Sequence, residues 1–328
     1  MPDGPPSTRL RWGIISTAAI SADVIPGLQR SVKNELVAVA SRTQSAARSF
    51  ADANGIPHAY GGYRDMLDDA DIDCVYIPLP NHLHGEWTEQ AILVGKHVLC
   101  EKPFVMDPAE ANRLFTLADV RGVHLAEAFM YRHHPKTKAL KDVVTSGRLG
   151  AIHTVRSWFT YAAENAGADV RFQPGMDGGA LRDVGSYPVS MSNFLLDAEP
   201  DTVSAMQIVD SNDIDERFYG SMRYANGAVA QFDCSMRSHS GYGVVVVGDR
   251  GSATLACPWY SHLEPHHIDV VTADGADRVV PEGADDPYFL ETENFADVVT
   301  VGADPEVTAS ETVRTMKTLA RLHSAART

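Results

Sequence analysis

Three short stretches carry side chains whose types and spacing suit chemistry on a bound ligand. Glu101-Lys102-Pro103 follows the apolar run Val98-Leu99-Cys100 directly. A lysine there cannot bury its ammonium alone, so Lys102 either pairs with Glu101 or faces a polar cleft. Gly178-Gly179-Ala180-Leu181-Arg182-Asp183-Val184-Gly185-Ser186-Tyr187-Pro188 sets Asp183 and Tyr187 four residues apart. Once a helix starts near Asp183, that spacing puts a carboxylate and a phenol on one face of adjacent turns, able to address one ligand. An N-capping Asp beside a buried Tyr satisfies the same pattern. Pro78-Leu79-Pro80-Asn81-His82-Leu83-His84 is stiff and polar, and its two histidines have no carboxylate or cysteine at metal-ligand spacing. They suit a helix cap or a cofactor cleft, and no metal is expected.

A fourth stretch, Gly13-Ile14-Ile15-Ser16-Thr17-Ala18-Ala19-Ile20-Ser21, ends the first apolar run. A dinucleotide-binding turn places Gly where Ser16, Ala18 and Ser21 stand, because the turn is tight and a pyrophosphate approaches the backbone. A generic strand-to-helix turn reads the same way, although the following helix offers N–H groups and a dipole to an anion. The second apolar run ends Ala40-Ser41-Arg42 without the acidic residue that holds a ribose 2′-hydroxyl. A hydroxyl and a guanidinium suit a 2′-phosphate, which favours NADP over NAD. A solvated surface arginine is the plain alternative for Arg42.

Those residues need elements to hold them. Up to Ala128 short apolar runs alternate with helical patterns, as in Leu10 to Ile15, Ala18 to Arg30, Leu36 to Ala40, Gln44 to Asn54, Cys74 to Ile77, His84 to Val94 and His97 to Cys100. Asp107-Pro108 opens another helix, with a capping residue followed by Pro at the first helical position. This rhythm predicts a doubly wound α/β domain with a parallel sheet over residues 10–128. Residues 129–328 predict an α+β domain on an open, largely antiparallel sheet, with strands at Ile152 to Thr160, Thr202 to Val209, Arg217 to Tyr224, Ala228 to Met236, Gly243 to Val247 and Ser252 to Leu255. An open sheet needs a cover, and a second copy of the chain is the ready one. Residues 1–9 read as a disordered arm without a signal peptide, and the protein is expected in the cytoplasm.

The length of 328 residues fits two domains, and 44% hydrophobic with 22% charged residues is globular composition. The net charge of −15 repels phosphate backbones, so nucleic acid is not an expected partner, and no apolar run is long enough to span a membrane. The four cysteines form no CxxC pair; Cys74 and Cys100 fall in apolar runs and are expected as buried thiols.

Taken together, Pro80-Asn81 and His84, Glu101-Lys102-Pro103, Met130-Tyr131-Arg132-His133-His134-Pro135 and the Gly178 to Pro188 cluster resemble the glucose-fructose oxidoreductase, inositol dehydrogenase and MocA family. The Ile15-Ser16-Thr17-Ala18 turn and Tyr187 are similar to the branch of dimeric dihydrodiol dehydrogenase, D-xylose 1-dehydrogenase and sugar 3-ketoreductases. The resemblance implies a Rossmann domain, an oligomer-forming open-sheet domain, NADP, and hydride transfer at a carbinol or carbonyl carbon of a sugar or polyol. It implies that Lys102 is the catalytic lysine and Asp183 the substrate-positioning acid, with Tyr187 where inositol dehydrogenases carry His. The cofactor set it implies is Ser16, Thr17, Ala18, Ala19, Ile20, Ser41, Arg42, Pro78, Leu79, Pro80, Asn81, His84, Glu101 and Lys102. Substrate contacts fall to Asp183 and Tyr187, with Arg132 and Arg171 as further candidates or as surface ion pairs.

Hydride transfer to a carbonyl builds charge on oxygen, so a donor must release a proton as the alkoxide forms. Tyr187 is the expected general acid in reduction and base in oxidation. A neighbouring ammonium, here Lys102, typically lowers a phenol pKa by about 1–3 units. A non-catalytic NADP-binding regulator and an NAD-dependent glycosidase remain the alternatives.

Overall fold

A computed structural model describes residues 9–164, 167, 169–260 and 266–328. Most of the expected N-terminal arm, residues 1–8, lies outside the described residues, as do residues 165, 166, 168 and 261–265. The chain divides into two compact units. The first comprises Met1–Val105, Ala109–Met130 and Asp286–Ala309; the second comprises Met106–Pro108, Tyr131–Asp285 and Ser310–Thr328.

The first unit is a parallel sheet of β1 (Leu10–Ile15), β2 (Asn34–Ala40), β3 (His58–Tyr60), β4 (Cys74–Ile77), β5 (His97–Glu101) and β6 (Leu125–Ala128). The strands lie in the order β3-β2-β1-β4-β5-β6, as the alternating pattern predicts. The central strands are apolar on both faces because helices cover both; β4 is buried at all four positions. These helices are α1 (Ser21–Arg30), α2 (Gln44–Asn54), α3 (Tyr63–Leu67), α4 (His84–Leu93) and α5 (Pro108–Arg121). Local chemistry sets their ends. The Thr43 hydroxyl accepts from Ala46 N–H to start α2, and Gly55, at φ 66°, closes it by donating to Ala51 O. The order of strands reverses between β1 and β4, the place where such sheets bind ligands beyond the strand ends.

Helix α8 (Pro287–Val301) also belongs to this unit, whereas the sequence reading ran the second domain unbroken to residue 328. It starts with Asp286 accepting from Phe289 N–H at 2.9 Å and with Pro287 in its first turn. The Phe295 ring lies 5.2 Å from that of Trp12, and Lys33 reaches Asp297 at 2.8 Å. The helices α1 and α8 approach so closely at Gly27 that an added Cβ would come within 3.0 Å of the Phe289 Cα.

The second unit is built on an eight-stranded sheet among the described residues. It contains β7 (Ile152–Ala162), β8 (Thr202–Val209), β9 (Asp215–Arg223), β10 (Val229–Ser235), β11 (Arg237–Gly248), β12 (Gly251–Leu255), β13 (Ile268–Thr272) and β14 (Gly275–Val279). The order is β14-β13-β12-β11-β7-β10-β9-β8, and only the β10–β7 pair is parallel. The sequence pattern predicts six of these strands; β13, Ile-Asp-Val-Val-Thr, and the polar β14, Gly-Ala-Asp-Arg-Val, are five residues each and add two more at the sheet's edge. Helices α6 (Pro135–Thr145) and α7 (Ser186–Leu196) cover one face, and Asn193 ties α7 to Thr318 of α9 (Ala309–Ala325) at 3.2 Å. The period of two sends Phe218, Met222, Ala230, Phe232 and Cys234 to buried positions. Arg156, Trp158, Met206, Tyr219, Gln231 and Asp233 are among the residues that line a shallow groove of about 610 Å³ across β7 to β10. All four cysteines are buried. No helix among the described residues is long and apolar enough to cross a membrane.

Candidate active site

The first unit gathers its candidate residues at the C-terminal edge of β1, β4 and β5. Ser16 follows β1 at φ 122°, a left-handed conformation that favours glycine, at a position where a dinucleotide turn carries one. Its hydroxyl holds the turn: Oγ donates to Pro78 O at 3.2 Å and accepts from Ala18 N–H at 3.2 Å, while Ser16 N–H donates to Ala40 O at 3.1 Å. Thr17, Ala18, Ala19 and Ile20 then lead into α1, whose start has no side-chain cap. The N–H groups of its first turn, on Ser21, Ala22 and Asp23, donate to Ala18, Ala19 and Ile20 O at 3.0 Å, so that end offers a phosphate the helix dipole.

Ser41 is buried at the end of β2 and donates its N–H to Tyr60 O at 3.0 Å. Arg42 follows it, exposed, just ahead of the N-cap of α2. Burial raises the pKa of the nearby Tyr63 phenol, and the charge of Arg42 pulls it back.

Pro78, Leu79 and Pro80 leave β4, and Asn81 begins a short 3-10 turn into α4. His84, expected in the cofactor set, has no exposed surface to offer a ligand. Its ring instead lies between two backbone carbonyls, Nε2 at 2.7 Å from Leu79 O and Nδ1 at 2.9 Å from Pro103 O. Burial lowers its pKa, and the Lys102 charge adds to that, against the pull of the carbonyls. His84 is thus a strut between the 78–81 and 102–103 segments.

Lys102, half-buried, follows β5 and precedes a cis Lys102–Pro103 bond. Its backbone N–H donates to Glu101 Oε2 at 3.1 Å, while the Tyr76 hydroxyl donates to Glu101 Oε1 at 2.6 Å. Burial first, then the Glu101 charge, raise the Tyr76 pKa well above that of a free phenol, so Tyr76 stays a donor. The same two causes raise the pKa of the buried Glu291 on α8 well above that of an ordinary carboxyl.

In the second unit Asp183 lies in a π-helical turn, Leu181–Gly185, that runs directly into α7. Tyr187 sits in the first turn of α7, 7% exposed, with Phe159, Trp259 and Tyr131 ring centroids at 5.2, 5.6 and 5.7 Å. Trp259 is in turn held by a bond from its Nε1 to Trp158 O at 3.0 Å. This aromatic box fixes the phenol ring.

Arg171 meets Asp183 through a residue that the sequence reading missed. Tyr161, at the end of β7, donates its hydroxyl to Asp183 Oδ2 at 2.7 Å and accepts from Arg171 Nη1 at 2.8 Å; Arg171 itself lies 3.7 Å from Asp183 Oδ2 and 3.6 Å from Asp169. The signal was the strand period, which puts Tyr161 on the face of buried Val155, Ser157 and Phe159 that α7 covers. Arg132 is different: it is 4% exposed, pairs with Glu311 at 2.8 Å and stacks its guanidinium 3.6 Å from the Phe194 ring centroid. Among the described residues no group of three or more His, Cys, Asp or Glu is placed to hold a metal ion.

Residues 10–129 match the GFO/IDH/MocA oxidoreductase family, NAD-binding Rossmann fold, and residues 137–254 match the GFO/IDH/MocA C-terminal domain. The chain is 38% identical to D-xylose 1-dehydrogenase (NADP(+)) 2 of Haloferax volcanii, over 97% of this chain and 98% of that protein. It is 31% identical to trans-1,2-dihydrobenzene-1,2-diol dehydrogenase of Macaca fascicularis, over 78% of this chain and 77% of that one. Among solved structures it is similar to KijD10, a 3-ketoreductase from Actinomadura kijaniata in complex with NADP and TDP-benzene, with TM-score 0.90, 29% identity and coverage of 97% and 98%.

Proposed function

The chain belongs to the GFO/IDH/MocA oxidoreductase family, and on that premise we propose that it is an NADP-dependent sugar oxidoreductase acting on CH–OH groups. Relatives named as xylose dehydrogenase, dihydrodiol dehydrogenase and sugar 3-ketoreductase support this reading over a non-catalytic regulator or a glycosidase.

The observation that carries it is the single sheet edge on which Ser16, Pro78 and Lys102-Pro103 meet, beside the reversal of strand order between β1 and β4. That edge fits a dinucleotide: Ser16 adopts the backbone conformation of the turn's glycine, the start of α1 has no side-chain cap and presents its dipole, and Arg42 stands exposed beyond β2 for a 2′-phosphate. When bound, NADP supplies the carrier of the hydride.

The chain's own residues supply position and protons. Tyr187 gives a proton to the substrate oxygen in reduction and takes it back in oxidation. The Lys102 ammonium polarises that oxygen, and Asp183 accepts hydrogen bonds from vicinal hydroxyls. Residues 10–128 form the cofactor domain with α8 added to it, and the rest of 129–328 forms the substrate and oligomerisation domain. The open face of the second sheet, where Met206 is 65% exposed and Tyr219 43%, supports a homodimer through that face. The reaction's use of NADP supports a cytoplasmic setting.

The test is NADPH formation and consumption with a panel of aldoses, trans-diols and ketosugars. Turnover of at least one is expected. Silence across the panel contradicts the reading, and release of a glycosyl fragment would favour the glycosidase.

A further inference from the structure

Arg171, Tyr161 and Asp183 form a chain of hydrogen bonds with one direction. The guanidinium donates to the Tyr161 oxygen at 2.8 Å, and that oxygen donates its proton to Asp183 Oδ2 at 2.7 Å. Each step strengthens the next, because a hydroxyl that accepts from a cation is a better donor to an anion. Burial and the Asp183 charge raise the pKa of Tyr161 beyond that of a free phenol, so the proton stays on the ring oxygen. The phenol is anchored on the eleven-residue strand β7, and Asp183 sits in the π turn ahead of α7. A bond of 2.7 Å between a rigid strand and this irregular turn sets where the carboxylate points.

We propose that Tyr161 is a positioning residue for substrate selection: held by Arg171, it fixes the Asp183 carboxylate so that one particular hydroxyl of a polyol is recognised. This rests on the reading of Asp183 as the acceptor of substrate hydroxyls. Without the phenol, Asp183 and Arg171, 3.7 Å apart, close on each other and the carboxylate turns away from the substrate.

The experiment pairs enzyme variants with substrate variants. The best sugar from the panel and its singly deoxygenated analogues are assayed with wild type, Tyr161→Phe and Asp183→Asn, reading kcat and KM separately. In wild type, removal of the recognised hydroxyl should lower kcat/KM by about tenfold or more, on the scale of a hydrogen bond to a charged group. In Tyr161→Phe, KM for the parent sugar should rise about tenfold with kcat changed much less, and the penalty for that one missing hydroxyl should shrink to about twofold or less. A merely structural tyrosine would lower all analogues alike and leave the ratio intact, which overturns the proposal. If Tyr161→Phe is too unstable to assay, Arg171→Gln, altered at an exposed side chain, must show the same shrinkage, and an unchanged ratio there overturns it. Should Asp183→Asn remove the hydroxyl preference while Tyr161→Phe keeps it, the Asp183 reading stands and the Tyr161 proposal fails. Should wild type turn over no sugar, or Asp183→Asn leave every ratio unchanged, the reading beneath the proposal fails, and the proposal with it.

Discussion

Ser16 Oγ donates to the carbonyl oxygen of Pro78 at 3.2 Å, from a backbone at φ 122°. This bond joins the ends of β1 and β4 across the point where the strand order reverses, and a serine does it where the turn's geometry calls for glycine. A non-glycine residue held there costs about 1–3 kcal/mol, offset in part by two hydrogen bonds of about 0.5–1.5 kcal/mol each.

The ordinary ranking of alanine over glycine should therefore reverse at position 16. Ser16→Ala keeps the strain and loses both bonds, whereas Ser16→Gly loses the bonds and relieves the strain. Denaturant unfolding should place Ser16→Ala below Ser16→Gly by roughly 1 kcal/mol or more. The opposite order would show that the turn does not strain its first residue.

Arg42 is exposed at the end of β2 with no acidic residue in the adjoining turn. Arg42→Ala should weaken NADP by about tenfold or more, the scale of a charge-assisted bond to phosphate, and leave NAD nearly unchanged. Titration with both dinucleotides decides it, and equal losses would remove the case for a 2′-phosphate site.

Three histidines should make the fold acid-sensitive. Burial, chiefly, lowers the pKa of His97 to about 4, His133 to about 3 and His134 to about 4, from an ordinary 6.5. Below 6.5 the unfolded chain binds protons that the folded chain refuses, so the stability these groups contribute is lost as pH falls from about 6.5 to 3. Thermal unfolding should show Tm dropping steadily across that window. A flat profile would mean that these rings are hydrated in solution.

Asp215 works in the opposite sense. It accepts from Leu181 N–H at 2.7 Å, yet burial raises its pKa from 3.8 to about 6. Between those values the folded state binds the extra proton, so this residue's contribution falls as pH rises and levels off above about 6. Asp215→Asn, which still accepts from Leu181, should be more stable than wild type at pH 8, by at most about 3 kcal/mol for a shift of about two units. The difference should fade as pH falls towards 4. A destabilised variant at pH 8 would contradict the assignment.

The parallel sheet, its switch-point turns and Lys102 were legible because each is local: apolar runs, a lysine against a buried strand, a turn before a helix. The helical pattern of Tyr288 to Val301 makes α8 legible as a helix, but not as part of the first unit. Its place depends on Phe295 meeting Trp12 across most of the chain, and no periodicity encodes that pairing. Asp183 and Tyr187 were found from their spacing, although the turn carrying Asp183 is a π turn that runs on into α7. Tyr161 was missed because its partners, ten and twenty-two residues away, are visible only once β7 and α7 are packed. His84 reads from the sequence as a helix cap or a cleft residue, and only folding shows its ring between Leu79 and Pro103.

The measurement closest to the centre of this account is steady-state turnover of Lys102→Met and Tyr187→Phe on the best sugar, with NADP affinity measured on the same preparations. Both variants should lose at least about tenfold to a hundredfold in turnover, the range that general acid–base catalysis supplies, while binding NADP nearly as wild type does. Wild-type turnover in both would contradict it.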